Sequence, residues 1–467
     1  MGDISATTTR GPGESPAGGT PLTRRGFLTR TAGAGVALGL GPTLLSACGG
    51  SSSSSSAPLT FWNFYGPAKV AGAGVPASQS KWFDDMVAAW NKSHKPKVKL
   101  QYIADYINGS KLQTAFAAGK GPDIFLISPG DFLRYYNGGV LKELTPYMSK
   151  EAQQDFYPSV MKTRTVDGKI YALPMEVEPM AFYYSVKAFE SAGLSEADVP
   201  KTWDDLLNVA HKLRTKKRYG ITFETAPGYY QNFTWYPFMW EAGADVVTPD
   251  GKSSAFDAKG TVEALKLWQD TIKAGVAPRK FLGTGGGDVV ANLAAGYTAI
   301  QNCGIWGISA LKGKPNFEYG VFKLPVPPGG TYATVLGGWA FVANAKGKNP
   351  DAAAKFCAWA LGSMSEDSVR RVTDWCIKAK SDISPRKSAT DLADKEGGYS
   401  SGVMKKFKEE IFPAGRGEPR YPPPVVKAVQ QAIQACQLSG ADPAQQAHQA
   451  GQAIGSYLKG YKGASLT

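Results

Sequence analysis

Two carboxylates, Glu176 and Glu178, lie two positions apart between Pro174 and Pro179, next to apolar and aromatic residues. Paired carboxylates are the acid and base of glycoside hydrolysis, where they stand about 5–9 Å apart on either side of the scissile bond. Residues at positions i and i+2 of a strand instead project side by side from one face. No Ser/His/Asp or Cys/His set accompanies them. This pattern predicts a binding site and not an enzyme.

A second candidate is the segment 229–240, in which seven of twelve residues are aromatic. A pyranose ring stacks its C–H face on an aromatic ring, and its hydroxyls need partners such as Asp, Glu, Asn, Gln or Arg. Asn232 and Trp235 are therefore candidate ligand contacts. The alternative is that these rings form a hydrophobic core, where Phe and Trp on a helix usually pack.

The elements that would position these residues alternate between strands and helices. Ile124–Ile127 is a continuous apolar run, typical of a parallel strand buried on both faces. Ligands bind at the carboxyl ends of such strands, which makes Asp131 a candidate, with helix capping as its alternative. Thr202 and Asp205 predict a capping box that begins a helix. The alternation predicts doubly wound α/β lobes, and 467 residues suit about two domains.

The order of several motifs resembles the sugar-binding class of extracellular solute-binding proteins, which includes maltose-binding protein. Ser185 stands where the family has Asn after its tyrosine. Segments 288–306 and 349–356 resemble later parts of the family, so the resemblance spans about residues 58–460. Its first block contains Gly168, Tyr171, Pro174, Tyr184, Phe189, Gly193, Leu194, Pro200, Thr202 and Trp203.

The resemblance implies a two-lobed periplasmic-binding-protein fold, type II-like, in which each lobe is a doubly wound sheet flanked by helices. The ligand cleft lies between the lobes, which close by a hinge motion. The implied crossings between lobes are near residues 174–181, 302–306 and 343–348. The expected N-terminal lobe is 58–173 plus 303–343, and the expected C-terminal lobe is 174–302 plus 344–467.

The resemblance also implies ligand-binding residues. Glu178 aligns with an acidic cleft residue after the crossing proline, with a surface turn as the alternative. Trp306 follows the second expected crossing as an aromatic platform, and Trp339 lies beside two glycines that allow close approach of a ligand; a core position is the alternative for both. Further candidates are Glu176, Asp131, Asn232, Trp235, Trp62 and Arg386.

The first 57 residues predict export and anchoring. Arg24 and Arg25 form a twin-arginine motif, followed by an apolar run too short to span a bilayer and by a lipobox that ends at Cys48. Residues 1–47 are thus a predicted signal peptide, and 48–57 a lipidated cysteine with a Ser-rich tether. The mature protein is expected at the outer face of the cytoplasmic membrane, held by lipid on Cys48.

The charge distribution and the histidine and cysteine content argue against nucleic-acid binding and against a metal site. Removal of residues 1–47 takes away four Arg and two acidic residues and lowers the net charge from +13 to +11. The basic residues are scattered and not interleaved with aromatics, so nucleic acid is not an expected partner. No cofactor or metal is expected, because the three histidines are far apart and no CxxC or HExxH occurs. One or two disulfides are plausible among Cys303, Cys357, Cys376 and Cys436, with the pairing open.

Gly285, Gly286 and Gly287 predict a loop and not a phosphate-binding site, because no Gly-Lys-Ser/Thr follows them. As a whole, the sequence predicts a monomeric binding component of an ABC importer that captures a mono- or oligosaccharide and presents it to a membrane permease. The alternatives keep the fold but bind a cationic, peptide or other polar solute, or act as a surface sensor. A glycoside hydrolase is not expected.

Overall fold

A computed structural model describes residues 57–67, 76–104, 106 and 110–467. The predicted signal peptide, Cys48 and most of the tether lie outside this part of the chain. Numbered in chain order, its strands are β1 Leu59–Asn63, β2 Val98–Tyr102, β3 Ile124–Ile127, β4 Thr165–Val166, β5 Lys169–Ile170, β6 Leu173–Pro174, β7 Glu178–Ser185, β8 Tyr219–Thr222, β9 Thr298–Gly304, β10 Tyr319–Phe322, β11 Thr334–Gly337, β12 Ala340–Ala343 and β13 Gly415–Gly417.

The α-helices are α1 Ala77–Ser93, α2 Lys111–Ala117, α3 Pro129–Asn137, α4 Lys150–Asp155, α5 Pro158–Met161, α6 Val186–Glu190, α7 Trp203–Leu213, α8 Tyr229–Glu241, α9 Lys259–Lys273, α10 Gly307–Leu311, α11 Pro350–Leu361, α12 Glu366–Asp374, α13 Lys387–Lys395, α14 Gly402–Lys406, α15 Pro423–Gln437 and α16 Pro443–Leu458. Short 3-10 or π turns are Thr145–Tyr147, Lys162–Arg164, Glu196–Asp198, Val290–Ala294, Trp375–Ala379, Phe407–Ile411 and Phe412–Ala414.

The first sheet has the strand order β2-β1-β3-β12-β6. β1 pairs in parallel with β2 and β3, and β12 is antiparallel to β3 and β6. β3 is buried along its whole length, which confirms the prediction from its continuous apolar run. Helix α1 packs against β2 and buries an apolar face that includes Trp82, Phe83 and Trp90.

The second sheet has the order β13-β11-β7-β9-β8, and β10 also pairs with β7. The central strand β7 is buried at every position. Helix α7 begins at the predicted capping box: the Thr202 hydroxyl accepts the Asp205 amide at 3.1 Å, and the Asp205 carboxylate accepts the Thr202 amide at 3.0 Å.

The strand pairing differs from the predicted lobe boundaries. The first crossing lies as predicted, since β6 ends at Pro174 in the first sheet and β7 begins at Glu178 in the second. No crossing follows at 302–306, because β9 continues into α10 and β10, which stay with the second sheet. The chain returns between β11 and β12, at Gly337–Trp339. Gly338 has a φ of +114°, and a Cβ there would lie 2.4 Å from the Glu176 carbonyl oxygen.

The segment after β12 also departs from the expected division. Helix α11 packs on β12 and β6 of the first sheet, α12 packs on α11 and α13, and the turn Trp375–Ala379 packs on α1. No crossing occurs near 343–348. The chain rejoins the second sheet after α13, where Phe407–Ile411 contacts β7, β13 pairs with β11, and α15 packs on α8 and α9. Residues 344–395 therefore belong with the first sheet.

None of the helices in the described part of the chain combines the length and the apolar character that crossing a membrane requires. Cys303, Cys357, Cys376 and Cys436 are all buried with free thiols, so the disulfides that the sequence allowed are not formed.

Candidate functional site

A cavity of about 610 Å³ is lined by residues of both lobes. The first lobe contributes Phe64 and Tyr65 after β1, Trp339 before β12, and Lys380 after the turn Trp375–Ala379. The second lobe contributes the start of β7, the N-terminal turn of α8, the loop before the turn Val290–Ala294, and Trp306. The cavity has the size of a small-molecule site.

Each lobe presents an aromatic cluster to this cavity. On the second lobe, the ring centroid of Trp306 lies 6.0 Å from that of Tyr230 and 6.2 Å from that of Phe233. On the first lobe, the Trp339 centroid lies 4.7 Å from that of Phe64. Gly304 makes room for Trp306, since a Cβ there would lie 1.9 Å from the indole ring. The cavity is therefore walled by aromatic rings on two sides.

A charged cluster forms the floor, centred on the ammonium of Lys380. Its Nζ lies 3.0 Å from Glu176 Oε2 and 3.3 Å from Asp382 Oδ2, contacts Glu178 Oε1, and donates to the Tyr65 hydroxyl at 2.8 Å. All five residues are buried, and Glu178 is 6% exposed. Glu178 is the carboxylate of this group that lines the cavity.

Glu176 is held by four groups from three segments of the chain. Its Oε1 accepts the Tyr65 hydroxyl at 3.0 Å and the Trp339 amide at 3.2 Å, and its Oε2 accepts the Trp375 indole N–H at 2.6 Å in addition to the Lys380 contact. This carboxylate lies beneath the cavity and is not part of its lining. It ties together the segments that carry the first lobe's aromatic cluster.

The electrostatics of the floor follow from burial and from Lys380. Burial alone would lower the pKa of Lys380, but Asp382, Glu176 and Glu178 together raise it well above its ordinary value. Burial raises the pKa of Glu178 from 4.5 to about 7, against the attraction of Lys380. Burial opposes ionisation of Glu176 too, yet Lys380 and the donated hydrogen bonds hold its pKa below the ordinary value.

The three carboxylates of the floor have the composition of a metal site. Single oxygens of Glu176, Glu178 and Asp382 lie within 4.8 Å of one another. However, the Lys380 ammonium contacts all three groups, which is the position that a cation would take. The arrangement thus fits an internal ion cluster and not a metal centre.

Three of the nine residues predicted to bind ligand line the cavity: Glu178, Trp306 and Trp339. The surface-turn alternative for Glu178 is wrong, because its side chain is buried. These three residues come from separate elements, and the fold brings them to one site. Their contact with a ligand remains a prediction.

Two predicted residues of α8 do not reach the cavity. Trp235 is fully buried and its ring packs on Phe256, so the core alternative describes it. Asn232 donates from Nδ2 to the Val426 carbonyl at 2.8 Å and joins α8 to α15. The first turn of α8 meets the cavity instead, through Tyr229, Tyr230 and Phe233.

The other predicted residues serve the first lobe's structure. Arg386 is fully buried and donates to Asp155 Oδ2 at 2.6 Å and to two backbone carbonyls. Asp131 lies in the first turn of α3 and pairs with Arg134 at 3.3 Å; the N-cap of this helix is Ser128, so Asp131 does not fill the capping role that was its alternative. Trp62 packs beside the core with the Lys111 ammonium 5.7 Å from its ring. None of these three residues lines the cavity.

Sequence reasoning missed several cavity residues. Tyr230 lay within the recognised aromatic segment, but the residues chosen were those that face the core. Phe64 and Tyr65 follow β1 at its carboxyl end, where a site was expected by rule. Lys380 lies in a stretch of mixed polar and apolar residues, and no local pattern indicated it. Glu224 lies two residues beyond the carboxyl end of β8, where the same rule applies.

The match to a family model settles the class of protein. Residues 74–366 match the family described as bacterial extracellular solute-binding protein. The chain belongs to this family. This solute-binding protein is 27% identical to the diacetylchitobiose binding protein DasA of Streptomyces coelicolor, over 72% of this chain and 79% of that one. It is 25% identical to a binding protein of Brucella abortus over 58% of this chain, a match that spans 66% of the relative's length.

Solved structures agree with this assignment. The cyclic alpha-maltosyl-1,6-maltose binding protein from Arthrobacter globiformis has a TM-score of 0.70 to this solute-binding protein at 23% identity, and the match covers 87% of this chain and 100% of that one. At this identity the likeness shows the fold. The predicted two-lobed periplasmic-binding-protein fold and the predicted family are both confirmed.

Proposed function

We propose that this solute-binding protein captures a neutral mono- or oligosaccharide in the cavity and delivers it to the permease of an ABC importer. The observation that carries the proposal is the pair of aromatic clusters, one on each lobe. Rings on both sides can cover the C–H faces of a sugar as the lobes close, while a few polar groups accept its hydroxyls. The relatives named for diacetylchitobiose and for a cyclic maltosaccharide support this ligand class.

The charged groups around the cavity favour a neutral ligand. Lys380 is engaged by three carboxylates, and Glu224 accepts three backbone N–H groups. Asp288 accepts the amides of Thr284 and Ala291. An ionic ligand would have to displace one of these contacts, whereas a hydroxyl only needs an acceptor such as Glu178.

We further propose that the protein is exported by its twin-arginine signal and anchored by lipid on Cys48 at the outer face of the cytoplasmic membrane. It acts there as a monomer without a cofactor. We do not propose a catalytic activity. None of the chain's three histidines lines the cavity, and the carboxylates that line it are held by Lys380 or by backbone amides.

A cationic solute is the second candidate, and one observation favours it. Three carboxylates surround a single ammonium at the floor, and aromatic rings also attract cations. A ligand cation could thus approach Glu178 between Trp306 and Trp339.

A calorimetric and thermal-shift panel separates the two candidates. Purified protein is titrated with neutral mono-, di- and trisaccharides, and in parallel with polyamines, quaternary ammonium compounds and short peptides. A ligand at a hundredfold excess over its dissociation constant stabilises by about 2.7 kcal/mol, well within detection. Trp306→Ala should reduce the shift, and Trp359→Ala, outside the cavity, should not. Stabilisation by cations alone would replace the sugar proposal with the second candidate.

A further inference from the structure

The loop of residues 284–287, hereafter the glycine loop, forms one wall of the cavity. It contains the three consecutive glycines that the sequence identified only as a loop. Gly285 has a φ of +129°, and a Cβ at Gly286 would lie 2.4 Å from Glu224 Oε2. Side chains are therefore disfavoured at both positions, and the glycines of this wall present bare backbone to the cavity.

Glu224 holds the glycine loop from the neighbouring strand end. Its Oε1 accepts the amides of Thr225 and Ala226, each at 2.8 Å, and its Oε2 accepts the Gly286 amide at 3.0 Å. The side chain is 5% exposed, so these bonds are shielded from water. One carboxylate thus joins the loop after β8 to the glycine loop.

The carbonyl group of Gly286 is also fixed. The Gly286 carbonyl accepts Gln301 Nε2 of β9 at 2.6 Å, and Asp288 accepts the Thr284 amide at 3.1 Å. Gln301 lies on a central strand and is fully buried. Of these anchors, Glu224 and Asp288 line the cavity, and Glu224 is the one that also binds the loop after β8.

We propose that Glu224 is a positioning residue that fixes the glycine loop as the cavity wall and thereby sets the largest ligand that the cleft accepts. The proposal rests on the proposed function in that the ligand occupies this cavity. Displacement of the glycine loop changes the volume available at one side of the ligand and leaves the aromatic clusters and Glu178 in place. Loss of Glu224 should therefore change selectivity by size more than affinity for the smallest ligand.

The test compares Glu224→Gln and Glu224→Ala with a matched control, Glu241→Gln. Glu241 is a buried carboxylate of the same lobe, 1% exposed, and it does not line the cavity. Affinities for a mono-, di- and trisaccharide of one series are measured by calorimetry on purified protein. Because one methylene in a pocket is worth about tenfold or more in affinity, the ratio of trisaccharide to monosaccharide affinity should shift by about tenfold in the Glu224 variants. It should not shift in the control.

Hydrogen exchange of the unliganded proteins gives a second readout that needs no sugar. The Gly286 and Gly287 amides should exchange faster in Glu224→Gln than in wild type or in Glu241→Gln. An unchanged affinity ratio in Glu224→Gln overturns the proposal, as does unchanged exchange of the glycine loop. If no sugar binds wild-type protein, the proposed function fails, and exchange alone then decides whether Glu224 positions the loop.

Discussion

Glu178 should make the stability of this protein depend on pH. Burial raises the pKa of Glu178 from its ordinary value of 4.5 to about 7 in the folded protein. A raised pKa means that the folded state favours the protonated carboxyl. The stabilising contribution is therefore fully present below pH 4.5, is lost as the pH rises through 7, and stays lost above it.

The size of the effect follows from the same two values. A pKa change from 4.5 to about 7 corresponds to about 3 kcal/mol of folding free energy. The side chain of Glu178 is only 8% exposed, so solvent screening reduces this energy little. In Glu178→Gln the side chain is neutral at every pH, so this loss of folding free energy with rising pH should be absent.

The assay is urea unfolding of wild type and Glu178→Gln at pH 4.5 and at pH 8. The free energy of unfolding of the variant relative to wild type should rise by about 3 kcal/mol between the two pH values. Contributions of Glu176 and Asp382 are present in both proteins and largely cancel. A difference that is the same at both pH values would refute the assignment of a raised pKa to Glu178.

Three other changes test separate parts of the molecule. Trp306→Ala should weaken ligand binding by more than about 1 kcal/mol in calorimetry, as expected for an aromatic anchor; unchanged affinity would remove Trp306 from the site. Lys380→Met should lower the free energy of unfolding at pH 8 by about 3–5 kcal/mol, because three buried carboxylates lose their counter-charge. The loss should shrink at pH 5, and a pH-independent loss would contradict the cluster. Cys48→Ser should move the protein from the membrane fraction to the soluble fraction, and continued membrane association would exclude the lipid anchor.

Local patterns in the sequence predicted the elements well. The apolar run Ile124–Ile127 and the capping box at Thr202 depend only on neighbouring residues, and both are found in the structure. The lobe boundaries depend on distant contacts. Return of the chain to the first sheet requires the backbone of Gly338 to lie against the Glu176 carbonyl, which no local pattern shows.

Site residues could be predicted where their neighbours in the sequence determine their surroundings. Trp306 and Trp339 lie next to glycines that let an indole approach backbone, and both line the cavity. Trp235 and Arg386 have side chains equally suited to a ligand, yet their partners are core groups from distant segments. Residue type alone cannot separate these cases, because buried core and ligand cleft use the same rings and the same ion pairs.

The two carboxylates that first indicated a site have divided roles, and Lys380 explains why. It is 202 positions away from Glu178 in the chain, so no local pattern indicated the contact. Glu176 receives donors from Tyr65, Trp339 and Trp375 as well as from Lys380, which favours its ionised form and holds it beneath the cavity. Glu178 shares the same ammonium, but its burial, and to a lesser extent the negative charge of Glu176, raise its pKa and disfavour its ionisation. A carboxyl that titrates near neutral pH at the cavity floor can accept a hydrogen bond when ionised and donate one when protonated. Ligand hydroxyls satisfy both forms, whereas a cation satisfies only the ionised one. Sugar affinity should therefore vary little between pH 6 and pH 8, while affinity for a cation would rise with pH over that range.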